Sequence, residues 1–139
     1  MDTSIPETHR NILTEPNHAV LTTVMPDGTP QSSLVWVDYD GEHIIISTTL
    51  ERQKGRNIQA NPNVALLVMD PRDQARWIAL HGVVVKITDE DAEVILDDLT
   101  MRYRGLVHYY GDIFPVEQRE KETRVTVKIQ PVLVEVENQ

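Results

Sequence analysis

Three cations fall within five residues at Arg52-Gln53-Lys54-Gly55-Arg56, just after the hydroxyl run Ser47-Thr48-Thr49. The stretch Glu51 to Ala60 has a helical composition, so the cations stand at a helix start. Aligned peptide dipoles leave partial positive charge there and disfavour a cation by about 0.3–1 kcal/mol each. Free backbone N–H groups gather at the same end. Cations, N–H donors and hydroxyls in one place describe a cradle for a phosphate. Taken alone, the same residues equally describe a solvated helix face on which Glu51 pairs with Arg52.

The other chemistry-bearing residues are scattered. His9, His18, His43, His81 and His108 form no His-x-His or HExxH pattern, so no dedicated metal site is expected. Asp38-x-Asp40-Gly41 opens like a calcium loop but lacks the later acidic ligands, and it fits a hairpin turn. Neither a Gly-x-Ser-x-Gly elbow nor a Gly-rich nucleotide loop occurs. The chain has no cysteine, which excludes disulfides, thiolate metal sites and cysteine nucleophiles and fits a reducing compartment.

The elements that must position the cradle belong to one domain, residues 1–139. Hydrophobic residues make up 40% and charged residues 25%, enough for a single core. A net charge of −9 opposes phosphate backbones, so no general nucleic-acid partner is expected. No apolar run nears the ~20 residues that span a bilayer, and no leader opens the chain, so a cytoplasmic protein without membrane insertion is expected.

Ser4 and Pro6 suit the start of a short helix reaching Thr14. Ala19–Met25, Gln31–Tyr39 and His43–Thr48 read as three strands of an antiparallel meander, with turns at Pro26-Asp27-Gly28-Thr29 and Asp40-Gly41. Val64–Met69 is nearly all apolar and reads as a strand buried on both faces. Arg76–Ile87 reads as a long strand with Trp77, Ala79, Val83, Val85 and Ile87 on one face, Ile78, Leu80 and Val84 on the other, and a bend at Gly82. Thr88 to Asp91 resembles a capping box opening a helix through Tyr103. Residues 104–121 read as an irregular loop, and Glu122 to Val136 alternates with Val125, Val127 and Ile129 inward. About six antiparallel strands with flanking helices predict a mainly β fold, a closed or split β-barrel.

The succession LTTVMPDGTPQSSLVWVDYDG, IIISTTLERQKGRNIQANPNVALLV and ARWIALHG resembles the pyridoxamine 5′-phosphate oxidase-like split β-barrel proteins, also called FMN-binding-protein-like. It is most similar to their branch of F-420-dependent oxidoreductases. The resemblance runs from about Pro6 to Pro131. It implies a homodimer with flavin-type cofactors in clefts between subunits. Carried over by position, Ser47, Arg52 and Lys54 contact the phosphate, with Thr48, Thr49 and Arg56 in support. Gln31, Leu34, Val35 and Trp36 line the ring system, and Arg76 and Trp77 approach from the partner subunit.

The implied cofactor is coenzyme F-420, an 8-hydroxy-5-deazaflavin, with FMN as the alternative. F-420 extends past its phosphate with an acidic tail that extra cations such as Arg56 or Arg76 would favour. The C-terminal apparatus that binds the substrate phosphate in the oxidases is missing, which argues against pyridoxamine phosphate oxidation. The implied chemistry is hydride transfer to a small organic acceptor, the protein supplying binding and orientation. A non-catalytic flavin-binding protein is the reading from outside the enzymes. The proton donor is not assigned by the sequence; His81 and Tyr110 are the candidates.

Overall fold

A computed structural model of the protein describes residues 4–137. A short 3-10 turn, Glu7–His9, runs into α1 (Arg10–Thr14). Pro6, not Ser4, takes the N-cap position. Seven strands follow: β1 (Ala19–Val24), β2 (Pro30–Val35), β3 (Asp38–Tyr39), β4 (Ile44–Thr49), β5 (Asn63–Asp70), β6 (Asp73–Thr88) and β7 (Arg124–Val136). They form one antiparallel sheet in the order β2-β1-β5-β6-β7-β4-β3. Four helical pieces complete the chain: α2 (Gln53–Ala60), α3 (Ala92–Arg104), α4 (Tyr109–Asp112) and a 3-10 segment Val116–Lys121.

The expected meander is corrected at its middle strand. Gln31–Tyr39 is not one strand: it breaks at Trp36-Val37, and its halves β2 and β3 lie at opposite ends of the sheet order. Only two residues join them, so the sheet curls until its edges approach. This is a curled half-barrel, close to the expected split barrel but with seven strands. Both tight turns are present. Asp27 accepts hydrogen bonds from the Thr29 N–H (3.1 Å) and hydroxyl (2.5 Å). The Asp40 carboxylate accepts from the N–H groups of Glu42 (2.9 Å) and His43 (2.7 Å), the side-chain turn that makes a hairpin of the calcium-like motif.

The core fills the inside of the curl. Leu21, Val37, Ile44, Ile46, Val68, Ile78, Val127 and Ile129 are almost completely buried there, capped by Ile12 and Leu13 of α1. Each such side chain contributes about 1.5–3 kcal/mol over exposure. In β5 the alternation is strict: Val64, Leu66 and Val68 point into the core, while Leu67 and Met69 are each 48% exposed on the outer face. The strand is therefore not buried on both faces in this chain.

In β6, Ile78 and Leu80 face the core as expected. Register shifts at His81/Gly82 and Val84/Lys86 then re-phase the strand, and Ile87 joins Val84 against the core instead of keeping the face of Trp77. A Cβ on Gly82 would sit 2.5 Å from Ile129 Cγ2, so the first shift depends on the missing side chain. The capping box before α3 is not formed. Asp91 takes the N-cap position in the left-handed region (φ 56°) without a side-chain cap, and the Thr88 hydroxyl accepts from Glu90 N–H instead.

Candidate functional site

A cleft of about 320 Å³ opens where β2, β4, α2, α3, α4 and the start of β7 converge. Its lining is His18, Leu34, Val35, Trp36, Ser47, Arg52, Lys54, Leu96, Leu99, Tyr109 and Arg124. α2 reaches it because Gly55 packs directly on the end of β4. A Cβ at that position would collide with the Thr49 carbonyl oxygen, which explains why the basic segment carries glycine between its cations. The Thr49 hydroxyl accepts the Arg52 N–H at 3.3 Å and fixes the turn into the helix.

The cationic end has three members. Lys54 Nζ donates to Ser33 Oγ (3.1 Å), and Arg52 Nη2 lies 3.5 Å from the Tyr109 hydroxyl. Arg124, which opens β7, donates to Ser47 Oγ (3.3 Å) and sits 4.9 Å over the ring of Tyr109. Arg124 also donates to Glu122 (3.1 Å) and to the Tyr110 hydroxyl (3.2 Å). The Tyr110 hydroxyl in turn donates to Glu122 at 2.5 Å.

The electrostatics follow from this crowding. Burial, then the charges of Arg52 and Arg124, hold the Lys54 ammonium below the ordinary lysine range. Burial pushes Glu122 up, but hydrogen bonds from Tyr110 and Gln118 and the charges of Arg124 and Arg52 outweigh it and leave the carboxyl below its usual range. Burial and the hydrogen bond to Glu122 push Tyr110 to about 12. The Glu122 carboxylate beside the cluster is thus already engaged. Glu51 does not pair with Arg52, because its carboxylate accepts the Thr123 N–H at 2.5 Å. Three cations facing one engaged carboxylate leave surplus positive charge directed into the cleft, the donor chemistry of a phosphate site.

Opposite this end, Leu34, Val35 and Trp36 give an apolar wall. Trp36 stacks on Tyr103 (centroids 5.3 Å, planes 16° apart) and meets Tyr109 edge-on at 6.3 Å. The Tyr103 hydroxyl accepts the Val37 N–H (2.9 Å) and donates to Asn17 O (2.9 Å), pinning the break between β2 and β3.

Leu34, Val35, Trp36, Ser47, Arg52 and Lys54 therefore stand together in one cleft. The other expected site residues do not. Thr48 points into the core with Ile44 and Ile46, because β4 alternates, and its Oγ1 has no partner among the described residues. Thr49 is buried and braces the turn. Gln31 Oε1 accepts the Thr23 hydroxyl at 3.2 Å, away from the lining residues. Arg56 folds back onto the Glu51 carbonyl and Gln53 Oε1. Arg76 binds buried Asp70 (3.0 Å) and Thr8 O (2.6 Å), and Trp77 is half-buried with its N–H on Glu137 (3.1 Å). Neither reaches the cleft of its own chain.

The donor candidates also fall elsewhere: His81 is exposed on the outer sheet face, and Tyr110 lies behind Arg124. Arg124, His18, Leu96 and Leu99 escaped the sequence reading as site residues. Arg124 left one signal there, a cation opening an otherwise alternating apolar strand.

The pattern of the family described as pyridoxamine 5′-phosphate oxidase matches residues 5–137. Pyridoxine/pyridoxamine 5′-phosphate oxidases are similar over part of the chain. That of Microcystis aeruginosa is 35% identical over 57% of this chain and 37% of its own length, and that of Rhizobium meliloti 33% identical over 66% and 44%. The chain thus spans less than half the length of these curated relatives. Among solved structures, an F-420 reductase superposes with a TM-score of 0.80 at 35% identity, covering 94% of this chain and 98% of that one. General Stress Protein 26 of Bacillus anthracis shares the fold at 21% identity and a TM-score of 0.68, covering 95% of this chain and 92% of its own.

Proposed function

The chain belongs to the pyridoxamine 5′-phosphate oxidase family, and we propose that it is an oxidoreductase moving a hydride between coenzyme F-420 and a small organic acceptor. The observation that carries this reading is the surplus positive charge of Arg52, Lys54 and Arg124 around Ser47, set beside an apolar aromatic wall. A flat ring system joined to a phosphate needs that pairing. Arg52, Lys54, Arg124 and Ser47 would hold the phosphate, and Leu34, Val35 and Trp36 the rings. When bound, the coenzyme supplies the hydride from its central ring.

The chain's own part is to bind, orient and exclude water. The guanidinium of Arg124 is fixed from three sides by Glu122, Tyr110 and the Tyr109 ring, so it meets an anion without rearranging. Leu96 and Leu99 of α3 close the cleft from the apolar side. The 35% identity with an F-420 reductase along nearly the whole chain favours F-420 over FMN.

We further read the outer sheet face as the contact between two copies. Val20, Ala65, Leu67, Ala79 and Leu133 line an apolar groove there, and Met69 is exposed on the same face of β5. Burying such a face is the ordinary route to a dimer, and pairing there would carry Arg76 and Trp77 toward the partner's cleft.

Titrating the purified protein with oxidised F-420 and with FMN, then following oxidation of reduced F-420 by quinones and unsaturated carbonyls, tests the reading. Tighter F-420 binding with turnover supports it. Preference for FMN moves the assignment to the alternative cofactor. Tight binding without transfer to any acceptor makes the protein a flavin carrier.

A further inference from the structure

A neutral acceptor that receives a hydride also needs a proton, and the group giving it has to open onto the cleft. Resting on the oxidoreductase reading, the choice is narrow among the described lining residues. Arg52, Lys54 and Arg124 make the anion end. The Ser47 hydroxyl beside Arg124 and the Tyr109 hydroxyl beside Arg52 belong to that same end, away from the ring-lining wall of Leu34, Val35 and Trp36. The leucines, Val35 and Trp36 offer no exchangeable acid. His18 remains.

Its placement is specific. The backbone is pinned on both sides of it: buried Asn17 accepts the Tyr103 hydroxyl on its carbonyl (2.9 Å) and donates its side-chain amide to Ile12 O (3.0 Å), while Ala19 pairs with Val35 across β1 and β2. The side chain between these anchors is nevertheless exposed. Its ring meets Tyr103 edge-on (centroids 5.6 Å, planes 76° apart), and Trp36 stacks on that same tyrosine. Tyr103 therefore sets the imidazole and the ring-lining indole relative to each other at one wall of the cleft.

We infer that His18 donates the proton that accompanies the hydride, with Tyr103 as the residue that positions it. The acceptor gains two electrons and one hydrogen as hydride from the reduced coenzyme. At the conjugate atom it gains H⁺ from the imidazolium N–H. The coenzyme, its remaining ring proton passed to solvent, would be left oxidised; the imidazole is left neutral and recovers its own proton from the solvent to which it is open. Imidazole suits this because it both gives and takes protons near neutrality. The titratable groups around it are Tyr103 from α3, kept neutral by burial that raises its hydroxyl above the ordinary phenol range, the Arg102–Asp38 ion pair (2.7 Å) on the neighbouring turn of α3, and Arg52, Lys54, Tyr109 and Arg124 across the cleft.

The test compares wild type, His18→Gln, His18→Ala and a control, His43→Gln, on the β3–β4 turn. Reduced F-420 serves as donor and cyclohexenone as acceptor. General acid catalysis accounts for roughly 10²–10⁴-fold in rate, so His18→Gln should lose about 100-fold in kcat while its F-420 affinity, read by fluorescence titration, stays within about twofold. The wild-type kcat should fall with rising pH, the His18→Gln profile should lose that dependence, and free imidazole should partly restore His18→Ala.

A readout independent of turnover is the imidazole nitrogen resonance of His18, assigned from the His18→Gln spectrum. Adding cyclohexenone to protein loaded with oxidised F-420 should shift it and leave His43 and His81 in place. If wild type turns over while His18→Gln keeps both its kcat and its pH profile, the inference is overturned and the oxidoreductase reading stands. If wild type binds F-420 without oxidising its reduced form, both are overturned.

Discussion

Replacing Lys54 by Met should weaken coenzyme binding while making the empty protein no less stable. The two effects part because the Lys54 ammonium is repelled by its neighbours in the empty protein and would be relieved by a bound anion. Its ammonium is partly buried between the guanidinium groups of Arg52 and Arg124, which lowers its pKa, and it donates to Ser33 Oγ at 3.1 Å. Met keeps the apolar stem and removes a repelled charge, a change of at most about 1 kcal/mol at so open a site. A thermal midpoint unchanged or raised by about 2–4 °C is expected.

A charge-assisted bond to phosphate is worth about 1.5–3 kcal/mol, so Kd for F-420 should rise roughly 10- to 150-fold. Arg52→Ala combined with Lys54→Ala should reach roughly 10²–10⁴-fold, less than additive since both cations grip one group. Fluorescence titration gives Kd, and calorimetry of the unliganded protein gives the midpoint. The sign with pH is fixed as well. A lysine whose charged form the fold disfavours costs stability at every pH below its folded pKa, and that cost fades as pH rises from there toward the ordinary lysine value. Over that window the apo protein should gain stability and affinity should fall. An unchanged Kd in Lys54→Met, or an apo protein destabilised by several degrees, refutes the reasoning.

The remaining expectations concern the scaffold. Gly55→Ala should separate α2 from the end of β4, because the new methyl meets the Thr49 carbonyl; overpacking of about 1–3 kcal/mol in denaturant melts and loss of coenzyme binding should come together. Gly82→Ala should cost a similar amount through Ile129 Cγ2 at 2.5 Å but leave Kd nearly unchanged, since the clash lies in the core between β6 and β7. Tyr110 should ionise at about 12 in an ultraviolet titration. A raised folded pKa means its contribution to stability is whole below the ordinary tyrosine value and lost as pH rises through about 12. Tyr110→Phe should remove that alkaline transition and loosen coenzyme binding by freeing Arg124.

Much that is local could be read directly from the chain. The basic segment after Ser47, the turns at Asp27-Gly28 and Asp40-Gly41, and the inward set Val125, Val127 and Ile129 are properties of neighbouring residues, and each stands where its spacing puts it. Periodicity tells which face of a strand is buried but not which strand lies beside it. The partition of Gln31–Tyr39 between opposite sheet edges therefore came only with the tertiary fold, and so did the pairing of β4 with β7 that sets Arg124 against Ser47 across 77 positions of sequence. Competition from nearby acceptors diverted Arg56 to Glu51 O and Arg76 to Asp70, although their charge alone nominated them for the anion. The local sequence thus determined that a cluster of cations would follow the strand ending in Ser47-Thr48-Thr49. Long-range strand order, fixed by how the whole sheet buries its apolar face, decided which cations gather at the cleft.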